Sequence, residues 1–229
     1  MHGYSTDSDE RRVVPLFLAL VAISLAWLSS KFLAVIHFSI PWWVDAPSLM
    51  TFYGVLYALF DRHLWKNGFV CKLGLVRFPN LAGCWRGYLT SSFEGHAKRH
   101  NLVINIFQTW THLAVFLATT TSVSRSCAAV IQVGDPEGVA LIYQYQNQPL
   151  VGAARTMHMH FGTAMLRVSN GDCLVGDYYS GRDRRTFGRI CCRRQPANPK
   201  KNPESVSTVN RDKDSRTSAV PGLQMSDQR

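Results

Sequence analysis

Residues 81 to 192 form a series of short runs in which apolar residues alternate with polar or small ones, separated by turn signals. A period of two is typical of a strand with one buried face, and clusters of Gly, Pro, Asn and Asp end such strands. The clearest breaks are residues 134–138, Asn170-Gly171 and Ser180-Gly181. The pattern predicts eight strands: Leu81–Phe93, Leu102–Gln108, Thr111–Thr119, Val123–Val133, Val139–Gln146, Met157–Val168, Cys173–Tyr179 and Thr186–Cys192.

Eight antiparallel strands can remove their exposed edges by closing into a barrel. At about eight strands, the interior either fills with side chains or holds one small ligand. We therefore predict an all-β domain over residues 80–194, a compact eight-stranded antiparallel up-and-down β-barrel. What its interior holds decides the function.

Two apolar segments precede this domain. Residues 13–30 carry no charge and are long enough to cross a bilayer as a helix. The second uncharged run, residues 46–60, is short for a span, but Trp65 and four basic residues follow it and lengthen the usable window. We predict two transmembrane helices within residues 13–65; the alternative is one span plus an interfacial or re-entrant helix. A signal peptide is disfavoured because the second apolar segment follows at once.

Charge predicts the orientation of this hairpin. The loop from Lys31 to Asp45 holds one Lys and one Asp, whereas the flank after Phe60 holds four Lys or Arg, and such a flank stays in the cytosol. The barrel and both termini are then cytoplasmic. We predict disorder for residues 1–12 and a disordered tail over residues 195–229, because these segments are polar and almost without apolar residues. Residues 66–79 are predicted as a linker into the first strand.

The basic excess lies in the β-rich part of the chain. Residues 61–195 hold sixteen Lys and Arg against seven Asp and Glu. This favours an anionic partner, such as a nucleotide, a nucleic acid or lipid headgroups, although a solvated basic face near a membrane gives the same count. The six cysteines show no CxxC spacing, which favours reduced thiols in the cytosol.

Motifs for catalysis are missing from the sequence. It has no Gly-rich phosphate loop, GxSxG, HExxH or paired-carboxylate motif, so we predict that the protein is not an enzyme. His158 and His160 share one face of a strand, but no third metal ligand is evident. We predict no metal and no cofactor.

Several residues are candidates for binding a ligand. Ser122, Ser124 and Ser126 alternate along one strand, and Tyr143, Tyr145 and Asn147 along the next. Facing the lumen, they would form a polar, aromatic pocket able to stack bases; facing solvent, they would be an ordinary polar exterior. The pattern alone does not decide between the two. The candidate ligand-binding residues are Tyr88, Ser124, Tyr143, Tyr145, His160, Tyr178, Arg182, Arg184 and Arg185.

Two features support this choice. His160 shares its face with Gly162 and Ala164, small residues that would leave room for a ligand. The arginines lie in a Gly-flanked turn beside Tyr178, either as a phosphate clamp or as a charged hairpin tip.

Trp85 is predicted as a structural barrel plug with Arg189 as a cation over its indole. Tyr88, three residues on, lies on the opposite face of a regular strand.

The order of these motifs resembles a known family. The carrying residues are Pro41-Trp42-Trp43, Ala46-Pro47-Ser48, Leu64-Trp65, Pro79-Asn80-Leu81-x-Gly83-x-Trp85-x-Gly87, Tyr143-x-Tyr145, His160-x-Gly162-x-Ala164-x-Leu166 and Gly176-x-Tyr178-x-x-Gly181-Arg182. Over residues 13–193 the chain resembles the SMODS-associating two-transmembrane, β-strand-rich effectors, which are membrane-anchored β-barrel effectors of CBASS anti-phage systems.

The resemblance implies a non-enzymatic receptor in the bacterial inner membrane. Its barrel would bind a cyclic dinucleotide made by a partner nucleotidyltransferase, then oligomerise, and the helices would disrupt the membrane and cause abortive infection. No nucleic-acid polymer is expected as a partner. The alternative is a membrane-tethered, calycin-like barrel for a lipid or small hydrophobe, which requires an apolar lumen.

Overall fold

Two long helices lie near the start of the chain. The structure, a computed structural model, describes residues 1–35, 42–153, 156–181 and 184–196, with no side chains for residues 42–48. Helix α1 spans Glu10–Val35 and helix α2 spans Trp42–Arg62, and the two contact each other. α1 rises about 39 Å at about 1.5 Å per residue. Within the described residues it is the one helix long and apolar enough to cross a membrane.

The surface of α1 is largely apolar. Val14, Leu18 and Ala22 are buried, and their spacing of four places them on one face. Other large apolar side chains remain open, including Leu16 at 68% and Leu20 at 65% exposure. A helix with this much exposed apolar surface requires an apolar environment, and a bilayer supplies one.

Within the part of the chain that the structure describes, ten strands form one sheet. Two short strands, β1 (His2–Gly3) and β2 (Ser5–Thr6), precede the helices, and eight longer strands follow them. The eight are β3 (Gly83–Leu89), β4 (His100–Gln108), β5 (His112–Thr119), β6 (Ser122–Gln132), β7 (Ala140–Pro149), β8 (His160–Ser169), β9 (Cys173–Ser180) and β10 (Phe187–Arg194). Consecutive strands pair antiparallel, and β10 pairs with β3, so the sheet closes. The predicted up-and-down barrel is confirmed.

At one junction of the barrel, the two neighbouring strands pair over only part of their length. β5 and β6 pair at three positions, from Phe116↔Arg125 to Ala118↔Val123, whereas β6 and β7 pair at ten. Beyond these three pairs, the chain's N-terminus lies between the two strands: β1 pairs antiparallel with β5, and β2 pairs parallel with β6. We call the β5–β6 junction the seam and residues 1–9 the strap.

The predicted disorder of residues 1–12 is therefore wrong. Tyr4 is buried edge-on against Phe78, with ring centroids 5.9 Å apart, and its hydroxyl donates to the Thr109 carbonyl at 3.3 Å. α1 already begins at Glu10. A polar segment can become ordered when neighbouring strand edges supply partners for its backbone, and composition does not reveal such edges.

The segment predicted as a linker is folded against the barrel. It follows a 3₁₀ turn, Leu64–Lys66, and contains the short helix α3, Gly68–Lys72. Trp65 is 1% exposed and lies 5.5 Å from the Phe78 ring, which is also buried. The predicted first strand is shorter than expected, because the chain turns after Leu89. Of the predicted disordered tail, residues 197–229 lie outside the described residues; the Gln195 amide donates to the Cys84 carbonyl at 2.8 Å.

The helices dock on the barrel end that carries the β4–β5 turn. Trp110 in this turn packs edge-on against Phe60 at 5.2 Å, and its amide donates to the Asp61 carbonyl at 3.0 Å. The Arg11 guanidinium lies 4.7 Å from the Trp110 ring and 4.8 Å from that of Tyr4. The start of α1 and the end of α2 are thus fixed to the same end of the barrel.

Candidate ligand-binding site

A cavity of about 200 Å³ lies at the other end of the barrel. It is formed by strand ends remote from the β4–β5 turn, such as the start of β4 and the end of β5. Its aromatic lining residues are Phe93, Tyr143, Tyr145 and Tyr178, and its polar lining residues include Ser122, Ser124, Asn147, His160, Ser180 and Thr186. At this end the lumen is thus lined by aromatic and polar side chains together with the apolar Leu117, Met157 and Ile190.

The serine row of β6 faces inward. Ser122 and Ser126 are buried and Ser124 lines the cavity, where its hydroxyl donates to Oδ1 of Asn147 at 2.9 Å. A bulge at Cys127 then shifts the register, so that inward positions continue at odd numbers. The structure thus decides the question that periodicity left open.

The tyrosine row of β7 also faces inward. Tyr143 is 2% and Tyr145 7% exposed, with ring centroids 6.1 Å apart. Burial raises the pKa of both hydroxyls, and a hydrogen bond between Tyr145 and Ser180 opposes this for Tyr145. Both hydroxyls therefore carry their protons at neutral pH and can act as donors.

Gly162 makes room for Tyr145 rather than for a ligand. A Cβ at this position would overlap the Tyr145 hydroxyl and would lie 2.6 Å from the Tyr179 carbonyl oxygen. The expected free space beside His160 is thus occupied by a ring. His160 itself lines the cavity, and its Nδ1 hydrogen-bonds the His158 carbonyl at 2.9 Å, which fixes the imidazole.

One basic side chain reaches the cavity in the part of the chain that the structure describes. Arg184 lines the cavity and its guanidinium lies 5.3 Å from the Phe93 ring. The Glu94 carboxylate pairs with Nε2 of His100 at 2.5 Å on the same wall. Arg184 is consequently the cation available to an anionic ligand there.

Other predicted site residues lie elsewhere. Tyr88 is on the outer face of β3, covered by the Arg99 guanidinium at 4.5 Å, and it does not line the cavity. Arg185 is exposed in the turn before β10 and also lies outside the lining, while Arg182 falls outside the described residues. Of the two arginines of the predicted clamp that the structure describes, Arg184 lines the cavity and Arg185 does not.

The barrel plug is present, but with a different cation. Trp85 is fully buried and its Nε1 donates to the Leu81 carbonyl at 3.1 Å. Arg194, its register partner on β10, lies 4.4 Å from the indole centroid. Arg189 points outward, because residues 187, 189, 191 and 193 share the outer face of this strand. The predicted Trp85–Arg189 pair is wrong.

Sequence reasoning missed several lining residues. Ser180 and Thr186 bond each other through their hydroxyls at 2.8 Å, and Asn147 was noticed in its row but not selected. Extending the alternation of β7 and β9 to the strand ends would have found Asn147 and Ser180. Phe93 had no such signal, because it lies in a 3₁₀ turn, Ser92–Glu94, that the pattern assigned to a strand.

Metal binding finds no support in the geometry. Across residues 1–35, 42–153, 156–181 and 184–196, no three His, Cys, Asp or Glu side chains lie close enough together to hold an ion. The Cys192 thiol faces the lumen, where burial raises its pKa to about 12. It is a small apolar core group rather than a ligand.

The fold and the cavity define a closed antiparallel β-barrel with an internal cavity, attached to an apolar helix. Two family models match the chain, one over the helices and one over the barrel. "Cap15, TM helices" matches residues 12–66, and "Cap15, cyclic dinucleotide receptor domain" matches residues 76–194. The protein named CD-NTase-associated protein 15 from Yersinia aleksiciae is 32% identical over 188 residues, covering 78% of this chain and 86% of that relative. The chain belongs to the Cap15 family, which confirms the resemblance seen in its motifs.

Proposed function

We propose that the barrel of this protein binds a cyclic dinucleotide in the cavity lined by Tyr145, Asn147 and Arg184. The observation that carries the proposal is that this cavity lies within residues 76–194, the part that matches the receptor-domain model. By its name, the Yersinia relative is associated with a CD-NTase. The ligand is then the product of a partner nucleotidyltransferase.

The chemistry of the cavity suits one nucleotide of such a ligand. Tyrosine rings stack on bases, Asn147 and the serine hydroxyls can pair with base edges, and a guanidinium fits phosphate oxygens. At about 200 Å³ the cavity is smaller than the roughly 300–1,000 Å³ of ordinary ligand pockets. One base would enter the lumen, and the phosphates would lie at the mouth beside Arg184.

Thermal unfolding tests this proposal. The full-length protein in lipid nanodiscs is heated with cyclic di-AMP, cyclic di-GMP, cyclic GMP–AMP and cyclic UMP–AMP, each in large excess. A ligand at about 100 times its Kd stabilises the folded state by about 2.7 kcal/mol, which is roughly 5–11 °C for a chain of this size. No shift with any of them would contradict the proposal.

The same experiment separates the runner-up. A calycin-like barrel for lipids or small hydrophobes predicts a shift with fatty acids and none with nucleotides. The serine, asparagine and histidine side chains in the lining favour a nucleotide, whereas Leu117, Met157 and Ile190 in the same lining would also suit a hydrophobe, so the unfolding shift decides between the two. We infer that the protein acts by binding alone, without catalysis, cofactor or a nucleic-acid polymer.

The membrane part completes the proposal. α1 and α2 would both span the bacterial inner membrane, with the barrel and both termini in the cytoplasm, because basic residues follow α2. Ligand-bound barrels would associate, and confinement in the membrane raises their effective concentration. The gathered helices would then disrupt the membrane and end phage growth by abortive infection.

A phage assay tests this last step. Cells that carry the protein with its partner nucleotidyltransferase should lose membrane potential after infection, and cells with Arg184→Ala should keep it. Loss of potential with both proteins would contradict the role of the cavity. A protease-accessibility assay on spheroplasts tests the orientation, since an accessible barrel would contradict it.

A further inference from the structure

The strap connects the seam of the barrel to the first membrane helix. Three residues separate the end of β2 from the start of α1. The strap therefore has little slack, and a displacement of its strands relative to the barrel must be taken up at the start of α1. This places the seam and α1 in one mechanical unit.

Short contacts hold the strap in the seam. Nε2 of His2 hydrogen-bonds Oγ of Ser126 at 2.8 Å, and that hydroxyl also accepts the Val115 amide of β5 at 2.9 Å. At the other end, the Asp7 carboxylate accepts the amides of Val133 and Gly134 at 2.8 and 2.9 Å. Between these two anchors, Tyr4 is the buried side chain.

The part of the seam where β5 and β6 pair directly is also a wall of the cavity. Leu117 and Ser124 are register partners across the seam, and both line the cavity. Ser126, the next inward residue along β6, holds His2 of the strap. The cavity and the strap thus share one strand, two residues apart.

The seam is the junction where the barrel opens at least cost. It has three register pairs, whereas β4 and β5 have seven and β6 and β7 have ten. A ligand larger than the present cavity must widen the mouth, and the junction with the fewest backbone hydrogen bonds yields first. Widening there acts directly on the strand that carries Ser126.

We propose that the strap is a latch: it closes the seam in the ligand-free protein, and a ligand in the cavity releases it. Release uncovers backbone amides and carbonyls of β5 and β6 that β1 and β2 now satisfy. Such open edges bind another strand, and the partner that fits them is a second copy of this chain in the same membrane. The ligand step rests on the proposed function, whereas closure by the strap does not.

Hydrogen–deuterium exchange on the full chain in nanodiscs tests the release. The probe is whichever of cyclic di-AMP, cyclic di-GMP, cyclic GMP–AMP and cyclic UMP–AMP raises the unfolding temperature of the protein. Amides of residues 2–6 and 130–134 should exchange at least about tenfold faster with ligand, which corresponds to about 1.4 kcal/mol of lost docking. Unchanged or slower exchange there, with the ligand bound, would overturn the latch.

A pair of matched variants tests the latch without ligand. Asp7→Ala removes both amide contacts of the strap, whereas Asp135→Ala removes the same charge from the adjacent turn, where Asp135 pairs with Arg167 at 3.0 Å. Asp7→Ala should show faster exchange at residues 2–6 and more self-association by crosslinking than Asp135→Ala. Equal behaviour of the two variants would overturn the latch. If no probe binds, the proposed function fails and these variants alone decide.

Discussion

Gly162→Ala should destabilise the barrel through one identifiable side chain. The new Cβ would overlap the Tyr145 hydroxyl, so the ring must leave its place and lose its hydrogen bond to Ser180. The lost bond is worth about 0.5–1.5 kcal/mol and the overpacking about 1–3 kcal/mol. The sum, about 1.5–4.5 kcal/mol, lowers the unfolding temperature by roughly 3–18 °C in a chain of this size.

A double-mutant cycle isolates the clash with the ring. Gly162→Ala should lower the free energy of unfolding less in a Tyr145→Ala background than in the wild type. The destabilisation that remains should come from the overlap of the new Cβ with the Tyr179 carbonyl. The matched control is Gly87→Ala, whose Cβ would overlap the Cys191 carbonyl and should be additive with Tyr145→Ala. Both unfolding temperatures are measured on the full chain in nanodiscs. A cost for Gly162→Ala that is unchanged by Tyr145→Ala would refute the reasoning.

Three further predictions follow from the described geometry. Arg184→Ala should weaken cyclic dinucleotide binding at least about tenfold and reduce its salt dependence, while Arg189→Ala, on the outer face, should not; equal losses in titration would contradict the site. Cys192, with its pKa of about 12, should resist iodoacetamide while exposed Cys127 reacts, as peptide mass spectrometry will show; equal labelling would contradict burial. Two backbone amides lower the pKa of Asp7, so its stabilisation exists above the ordinary carboxyl pKa and fades as pH falls. The unfolding temperatures of wild type and Asp7→Asn should therefore converge in acid; a constant gap would contradict this.

Sequence periodicity predicted the barrel because its strands are long and bury one face. Six of the nine candidate ligand-binding residues line the cavity: Ser124, Tyr143, Tyr145, His160, Tyr178 and Arg184. The misplaced pair shows the limit of local reading. Arg189 and Arg194 are equally basic, but Arg189 lies on the outer face of β10, and the register between β3 and β10 places Arg194 opposite Trp85.

The strap was missed for a different reason. Nothing in residues 1–9 is strongly apolar or periodic, so the sequence offers no local signal of structure. Its order comes from the unpaired edges of β5 and β6, more than 100 positions along the chain. Such non-local partners become visible only after the barrel has closed. Gly162 is a similar case, because its role depends on a ring from the neighbouring strand.

Calorimetric titration of the full-length protein is the most direct test of whether this barrel is a cyclic dinucleotide receptor. Nanodisc-embedded protein is titrated with each cyclic dinucleotide of the panel, with the corresponding linear dinucleotides and with a fatty acid as controls. We expect saturable binding of at least one cyclic dinucleotide. Arg184→Ala should weaken this binding strongly, and Arg189→Ala should leave it unchanged. Saturable binding of the fatty acid, with no binding of any cyclic dinucleotide, would contradict it.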